Sequence, residues 1–129
     1  MQNSSSPVLC CITAQSSCMN IIVKGKALAE QLDVPLKVVS VQPTKCDARR
    51  RADDMICLDR LSKDSHTEID VLYSDDPLLA LAEYIKDLIP VHIFTGKQAE
   101  KGSFVMTLAE ACELPVTMVY GDTEITVSM

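Results

Sequence analysis

The sequence predicts a single α/β domain, spanning residues 1–129, with a mostly parallel sheet and helices on both of its faces. Apolar runs that are typical of buried strands alternate with stretches of helical periodicity along the whole chain. Parallel neighbours need long crossover connections, and most of these runs are separated by a stretch long enough for a helix. No repeat or low-complexity linker divides the 129 residues, which suffice for one domain with a substantial core.

The first half of the chain contains three predicted strands and two predicted helices. Residues 8–13 form a continuous apolar run, and the helix that follows extends to Leu32. Residues 36–42 are the second predicted strand. Residues 46–62 have the broad apolar side of a second helix, and residues 68–74 form the third strand. The order so far is strand, helix, strand, helix, strand.

The third helix has a strong start signal. Asp76 is predicted as its N-cap and Pro77 as its first residue, because a carboxylate accepts from free backbone N–H groups and proline has no N–H to leave unpaired. Pro90 is predicted to end it, and residues 91–96 form the fourth strand. The crossover pattern therefore continues into the second half of the chain.

The last part of the chain adds one more helix and two strands. Ser103 is a candidate cap for a fourth helix, and Val116–Tyr120 is the fifth predicted strand. Residues 124–128 are a candidate antiparallel edge strand, since Gly121 and Asp122 form a typical turn pair.

Composition excludes several classes of protein. The formal net charge is -6, which argues against a general affinity for DNA, RNA or anionic lipid. No apolar run approaches the roughly 18 residues of a membrane-spanning helix, and the N-terminus lacks the features of a signal peptide. We therefore expect a cytoplasmic protein without a membrane association.

Six cysteines are present without any CxxC pair, and neither histidine stands near a cysteine pair at zinc-ligand spacing. We predict reduced thiols and no metal site. Cys10 and Cys11 are predicted to face opposite sides of the sheet, while Cys57 and Cys112 are assigned to the core. Cys18 lies near a predicted helix N-terminus, where thiols are more reactive, so a redox role is a hypothesis for it alone.

Two polar loops leave strands one and four, and each leads into a helix. Ligands in open parallel sheets bind beyond the carboxyl ends of the strands, and helix N-termini attract phosphate. The alternative is that the serines only cap helices and the glycines only form turns. Neither loop has a Walker or GxGxxG pattern. The candidate binding residues of the loops are Thr13, Ala14, Gln15, Ser16, Ser17, Thr95, Gly96, Lys97, Gly102 and Ser103.

Three arginines, Arg49, Arg50 and Arg51, open the second helix. Such a run usually forms a solvated face, and a phosphate-binding role is the alternative. Gln42, at the end of the second strand, is a candidate for the base side of a ligand.

The segment VLCCITAQSSCMNIIVKGKALAEQLDVPLKVVSVQ resembles the opening of a universal stress protein domain, and YSDDP and HIFTGK fit later parts of it. The similarity is greatest to the domain found in bacterial potassium-responsive sensor kinases and to its stand-alone relatives. The resemblance implies a Rossmann-like sheet in the order 3-2-1-4-5. It also implies that the two polar loops converge and that the chain forms a homodimer through Val116–Tyr120.

ATP-binding members of that family carry an acidic residue after strand one and a glycine-rich pattern after strand four. Here Thr13 stands at the acidic position, Ala99 replaces the second glycine, and Gly102 and Ser103 lie closer than the final pair of the pattern. The ligand stays open between ATP or AMP and a cyclic dinucleotide.

The resemblance and the loops together favour a small regulatory module that binds a nucleotide without turning it over. The first alternative is a dimeric interaction or signalling module of the same fold that binds no nucleotide. The second is an enzyme with weak ATP hydrolysis, for which the sequence offers no catalytic residues. The outer edge of Val116–Tyr120 is expected to be covered by a second copy of the chain, or by residues 124–128 of the same chain as a hairpin. The two arrangements can coexist, with residues 124–128 contributing to the dimer interface.

Overall fold

The structure, a computed structural model, describes residues 6–96, 107, 110–111, 113–120 and 123–127. Strands and helices alternate as the sequence predicts. The ordered elements are β1 (Val8–Ile12), α1 (Met19–Leu32), β2 (Leu36–Gln42), α2 (Ala48–Ser65), β3 (Ile69–Tyr73), α3 (Pro77–Leu88), β4 (His92–Gly96), β5 (Val116–Tyr120) and β6 (Thr123–Val127), with a 3-10 turn at Ser16–Cys18 before α1.

The six strands form one sheet in the order β3-β2-β1-β4-β5-β6. The first five strands in this order form four parallel pairs, and β6 pairs with β5 in the antiparallel direction. The predicted Rossmann-like order 3-2-1-4-5 and the antiparallel edge strand are therefore confirmed. Strand order reverses between β1 and β4, which is the point where ligands bind in open α/β sheets.

The central strand β1 is fully buried, and the clusters on both faces of the sheet cover it, which explains its continuous apolar run. Cys10 packs in the cluster beneath α1 and α2, and Cys11 packs in the cluster beneath α3. The prediction that these two cysteines face opposite sides is thus confirmed. We call the two sides of the sheet the α1–α2 face and the α3 face.

Gly25 allows α1 to lie close to β1. A Cβ atom at this position would overlap Sγ of Cys10 and lie 3.4 Å from Cδ1 of Leu36. The Cys10 thiol donates to the carbonyl oxygen of Ile21 at 3.5 Å. Burial raises the pKa of the Cys10 thiol, so the group stays protonated and continues to donate. Helix α1 and strand β1 therefore pack at a distance that leaves no room for a side chain at position 25.

Helix α2 is shifted from its predicted position, since it spans Ala48–Ser65 rather than residues 46–62. Asp47 caps it, and its carboxylate accepts from the backbone N–H of Arg50 at 2.9 Å. The Ser65 hydroxyl donates to the carbonyl oxygen of Leu61 at 2.6 Å, so the last turn continues until His66 adopts a left-handed conformation with φ of 56°.

Helix α3 begins as predicted. The Asp76 side chain accepts from the backbone N–H of Leu79 at 3.2 Å, and Pro77 is the first helical residue. The helix ends at Leu88, before Pro90, because Ile89 takes a left-handed conformation with φ of 52°. The predicted fourth helix, with its Ser103 cap, lies mostly outside the described residues.

The outer edge of β5 is covered within the chain. Met118 pairs with Ile125 and Tyr120 pairs with Thr123, as in a hairpin. Glu124 also forms an ion pair with Lys24 of α1, with 2.8 Å between Oε2 and Nζ. Of the two alternatives for this edge, the structure has the hairpin, and the unpaired strand edge moves outward to β6.

Candidate functional site

The carboxyl ends of β1 and β4 lie side by side. Cys11 is in register with Thr95, so the turn after β1 and the residue Gly96 meet at the reversal of strand order. The predicted convergence of the first loop with the start of the second is therefore found. Thr95 itself is only 2% exposed and lies on the α3 face with Ile93, so its side chain does not open toward the edge. Lys97, Gly102 and Ser103 lie outside the described residues.

The turn after β1 presents exposed polar side chains. Thr13, Gln15, Ser16 and Ser17 are all exposed, and Ala14 is half-buried against the α1–α2 face. The serines begin the 3-10 turn, but no side chain caps this turn or α1. The alternative that Ser16 and Ser17 serve only as caps therefore has no hydrogen bond to support it.

Cys18 is the last residue of the same turn, and its side chain is directed into the core. Its side chain is 4% exposed, and its Sγ lies 3.5 Å from Oγ1 of Thr13. A redox-active thiol must be accessible to its oxidant, and this one is packed in the hydrophobic cluster of the α1–α2 face. Its geometry is that of a core residue which holds the turn, and the redox hypothesis gains no support from it.

A second polar group lies at the carboxyl ends of β2 and β3. Gln42 is 4% exposed, and its Nε2 donates to Oγ of Ser40 at 3.2 Å. Arg51 extends from the first turn of α2, donates through Nη2 to the carbonyl oxygen of Pro43 at 2.7 Å, and places its guanidinium carbon 5.0 Å from the ring centre of Tyr73. Gln42 was predicted at this place, and Arg51 was not singled out from its two neighbours.

The three consecutive arginines differ in structure. Arg50 is exposed and lies 3.7 Å from the carboxylate of Asp54, as expected for a solvated face. Arg51 is half-buried and turned toward the end of the sheet. Consecutive helical residues point about 100° apart, so a run of three necessarily covers more than one face of the helix. Which arginine is turned inward depends on where the helix begins, and the N-cap Asp47 marks that position.

A hydrogen-bonded clasp joins the two loops that follow β2 and β3. The carboxylate of Asp75 accepts from the hydroxyl of Thr44 at 2.7 Å and from its backbone N–H at 3.0 Å. These bonds lower the pKa of Asp75, with the hydroxyl as the larger cause. The backbone N–H of Ser74 donates to the carbonyl oxygen of Gln42 at 2.9 Å. The clasp therefore holds together the loop that follows Gln42 and the loop that follows Tyr73.

Both histidines of the chain lie away from the candidate site. His66 caps the end of α2 and His92 begins β4, so both lie at the amino edge of the sheet, away from the candidate site. Within the described residues, no group of three or more histidine, cysteine or acidic side chains could hold a metal ion. The helices of this described part also include none with the length and apolar character needed to cross a membrane.

Comparison with solved structures identifies the architecture. A universal stress protein from Archaeoglobus fulgidus superposes with a TM-score of 0.67 at 12% identity, covering 91% of this chain and 100% of that one. The complex of the universal stress protein from the same organism with dAMP gives a TM-score of 0.65 at 13% identity, covering 88% and 97%. A universal stress protein in complex with cAMP gives 0.65 at 13% identity, covering 91% and 99%.

No protein-family model matches the sequence, and a search of curated proteins finds no match either. Identities of this size establish the architecture alone. The three superpositions extend over 88–91% of this chain and 97–100% of the other chain. The chain therefore has the Rossmann-like α/β fold of the universal stress proteins.

Proposed function

We propose that this chain is a regulatory module of the universal stress protein type that binds an adenine nucleotide at the carboxyl edge of its sheet. The observation that carries the proposal is the meeting of the polar turn after β1 with Gly96 at the reversal of strand order. The solved neighbours in complex with dAMP and cAMP support it, since both ligands contain adenine and one phosphate group. Binding, rather than turnover, is the functional event.

The exposed turn is the part of this site that would meet the sugar and phosphate. Hydroxyl groups of Thr13, Ser16 and Ser17 are suited to hydrogen bonds with phosphate oxygens, and Gly96 offers backbone without a side chain in the way. Lys97, Gly102 and Ser103 remain predicted phosphate contacts from the second loop. A helix N-terminus next to the turn adds a favourable partial charge.

Calorimetry with AMP, ATP and cyclic di-AMP tests the proposal directly. We expect saturable binding of at least one of them. Ser17→Tyr should abolish it by filling the turn, whereas Gln31→Tyr, which adds the same ring at an exposed position near the other end of α1, should not. Absence of binding for all three nucleotides would refute the proposal. Product formation over several turnovers would instead favour the alternative of weak ATP hydrolysis.

The second candidate function is a dimeric interaction module of the same fold. Among the described residues β6 is the outermost strand on this side of the sheet, and Ile125, which lies on it, is 43% exposed. The homodimer predicted through Val116–Tyr120 would then form through the β5–β6 hairpin, with β6 at the contact. Light scattering should find a dimer at micromolar concentration, and Ile125→Lys should give a monomer. A monomeric unchanged protein would reject this candidate.

A further inference from the structure

Two polar atoms at the ends of β2 and β3 are buried without a hydrogen-bond partner. They are Oε1 of Gln42 and Nη1 of Arg51, and they are the only such side-chain atoms among the described residues. Buried polar groups in native proteins are nearly always paired, because an unpaired one loses its bonds to water and gains nothing. A ligand that carries both a donor and an acceptor would satisfy these two atoms, so this end of the sheet is a candidate subsite.

The two groups share one side of the sheet. Gln42 is in register with Tyr73 on the neighbouring strand, and the hydrogen bond from Gln42 to Ser40 keeps the amide on the α1–α2 face. Tyr73 alternates with Ile69 and Val71, which also pack on that face.

Arg51 reaches the same place from α2. It lies over the Tyr73 ring and bonds to Pro43, the residue directly after Gln42. An acceptor on Gln42 and a donor on Arg51 therefore lie at the same end of the sheet, at the carboxyl edge of β2 and β3.

This pair suits the edge of a nucleobase better than it suits a phosphate. Phosphate oxygens only accept hydrogen bonds, so a phosphate would pair with Arg51 and leave the oxygen of Gln42 facing a negative charge. The adenine base carries an amino group that donates and ring nitrogens that accept. It satisfies both atoms at once, in the manner of an amide that recognises adenine in other complexes.

The span of the edge fits the same arrangement. Neighbouring strands lie about 4.8 Å apart, so the end of β4 and the space between β2 and β3 are separated by about 12 Å. An extended nucleotide covers a distance of this order. It would place its phosphate toward Gly96, its sugar over the turn after β1, and its base against Gln42 and Arg51.

We propose that Gln42 and Arg51 determine the base specificity of this site, an inference that rests on the nucleotide binding proposed above. Oε1 of Gln42 accepts from the 6-amino group of adenine, and Nη1 of Arg51 donates to a ring nitrogen. Arg51 is half-exposed, and its described side-chain contacts are one hydrogen bond and one aromatic ring, so the base enters beside it by a small movement of this side chain.

The test compares AMP with purine riboside 5′-monophosphate, which lacks only the amino group, and with ribose 5-phosphate, which lacks the base. Calorimetry on the unchanged protein should give about tenfold tighter binding of AMP than of the purine analogue, the usual effect of one good hydrogen bond. Gln42→Leu should remove that preference. Arg51→Met should weaken AMP and the analogue equally, by about tenfold, and leave ribose 5-phosphate unchanged.

Arg50→Met is the matched control, since it removes the same charge one position away and should leave all three affinities unchanged. Equal binding of AMP and its analogue by the unchanged protein overturns the inference without any variant. The inference is also overturned if Gln42→Leu keeps the preference. A third refuting result is an Arg51→Met variant that binds like Arg50→Met but melts at a lower temperature, as expected if Arg51 only holds Pro43 and Tyr73 in place. If the unchanged protein binds no nucleotide at all, the proposed function itself fails.

Discussion

Replacement of Gly25 by alanine tests the closest contact between a helix and the sheet. The new methyl group would overlap Sγ of Cys10, and it would lie 3.4 Å from Leu36 and 3.6 Å from Phe94. Cys10 has no exposed surface and its strand is flanked by β2 and β4, so neither the thiol nor the strand can move away freely. Helix α1 must therefore shift outward or lose contacts.

The expected loss of stability follows from two opposing terms. Overpacking of a well-filled core costs about 1–3 kcal/mol, and the complete burial of Cys10 favours the upper part of that range. Alanine recovers about 1 kcal/mol over glycine in a helix. Gly25→Ala should therefore lower the free energy of unfolding by about 1–2 kcal/mol. In a Cys10→Ala background the overlap is gone, and the same change should raise stability by about 0.5–1 kcal/mol.

The assay is urea denaturation followed by far-ultraviolet circular dichroism, because the chain has no tryptophan to report by fluorescence. Ala27→Gly, at an exposed position of α1, is the control that measures helix propensity without the contact. A neutral or stabilising Gly25→Ala in the unchanged background would refute the close approach of α1. A destabilisation that persists when Cys10 is alanine would show that the sulfur atom is not its cause.

Three further predictions concern side-chain bonds away from this contact. Burial lowers the pKa of His92 below its ordinary value of 6.5. The free energy of unfolding should therefore be highest above that pH and decrease as the pH falls through the lowered pKa. Thermal melts at several pH values should show a smaller decrease for His92→Gln than for the unchanged protein, and an equal decrease would contradict the prediction. The Tyr84 hydroxyl donates to Asp70 at 2.7 Å, and Tyr84→Phe should cost about 1–2 kcal/mol in urea denaturation; a loss near zero would contradict a stabilising bond. Thr44→Ala should raise the pKa of Asp75 toward its ordinary value in a carbon-13 titration, and an unchanged value would contradict the clasp.

The arrangement of strands was largely predictable from sequence because buried strands and caps leave local signals. Five apolar runs give five strands, and Asp76 with Pro77 gives the start of α3 without error. The resemblance added the strand order, which local patterns do not contain. The sequence predicts the start of α2 at residue 46, whereas the structure starts it at Ala48, after the cap Asp47. Boundaries of this kind depend on one hydrogen bond rather than on periodicity.

Two features could not be decided from the sequence. The outer edge of β5 offers the same backbone groups to a second chain and to β6, so the pattern of Val116–Tyr120 fits both partners. The observed antiparallel pairing of Val116–Tyr120 with Thr123–Val127 shows that β6 covers this edge. The inward position of Arg51 was equally hidden, since three consecutive arginines cover over half the circumference of a helix and the phase depends on where α2 begins.

The distribution of polar groups along the carboxyl edge gives the site two chemically different ends. The turn after β1 offers exposed hydroxyl groups, which suit a charged and hydrated phosphate, whereas β2 and α2 offer a buried amide and a shielded guanidinium, which suit a flat and weakly hydrated base. Thr13 contacts Cys18 at the first end and carries no charge that could hold an amino group there. Recognition of the base is therefore expected from the second end. A nucleotide that contacts both ends must extend across the end of β1. Substitutions in the turn after β1 should therefore weaken the phosphate contacts, whereas substitutions at Gln42 should change which base is preferred.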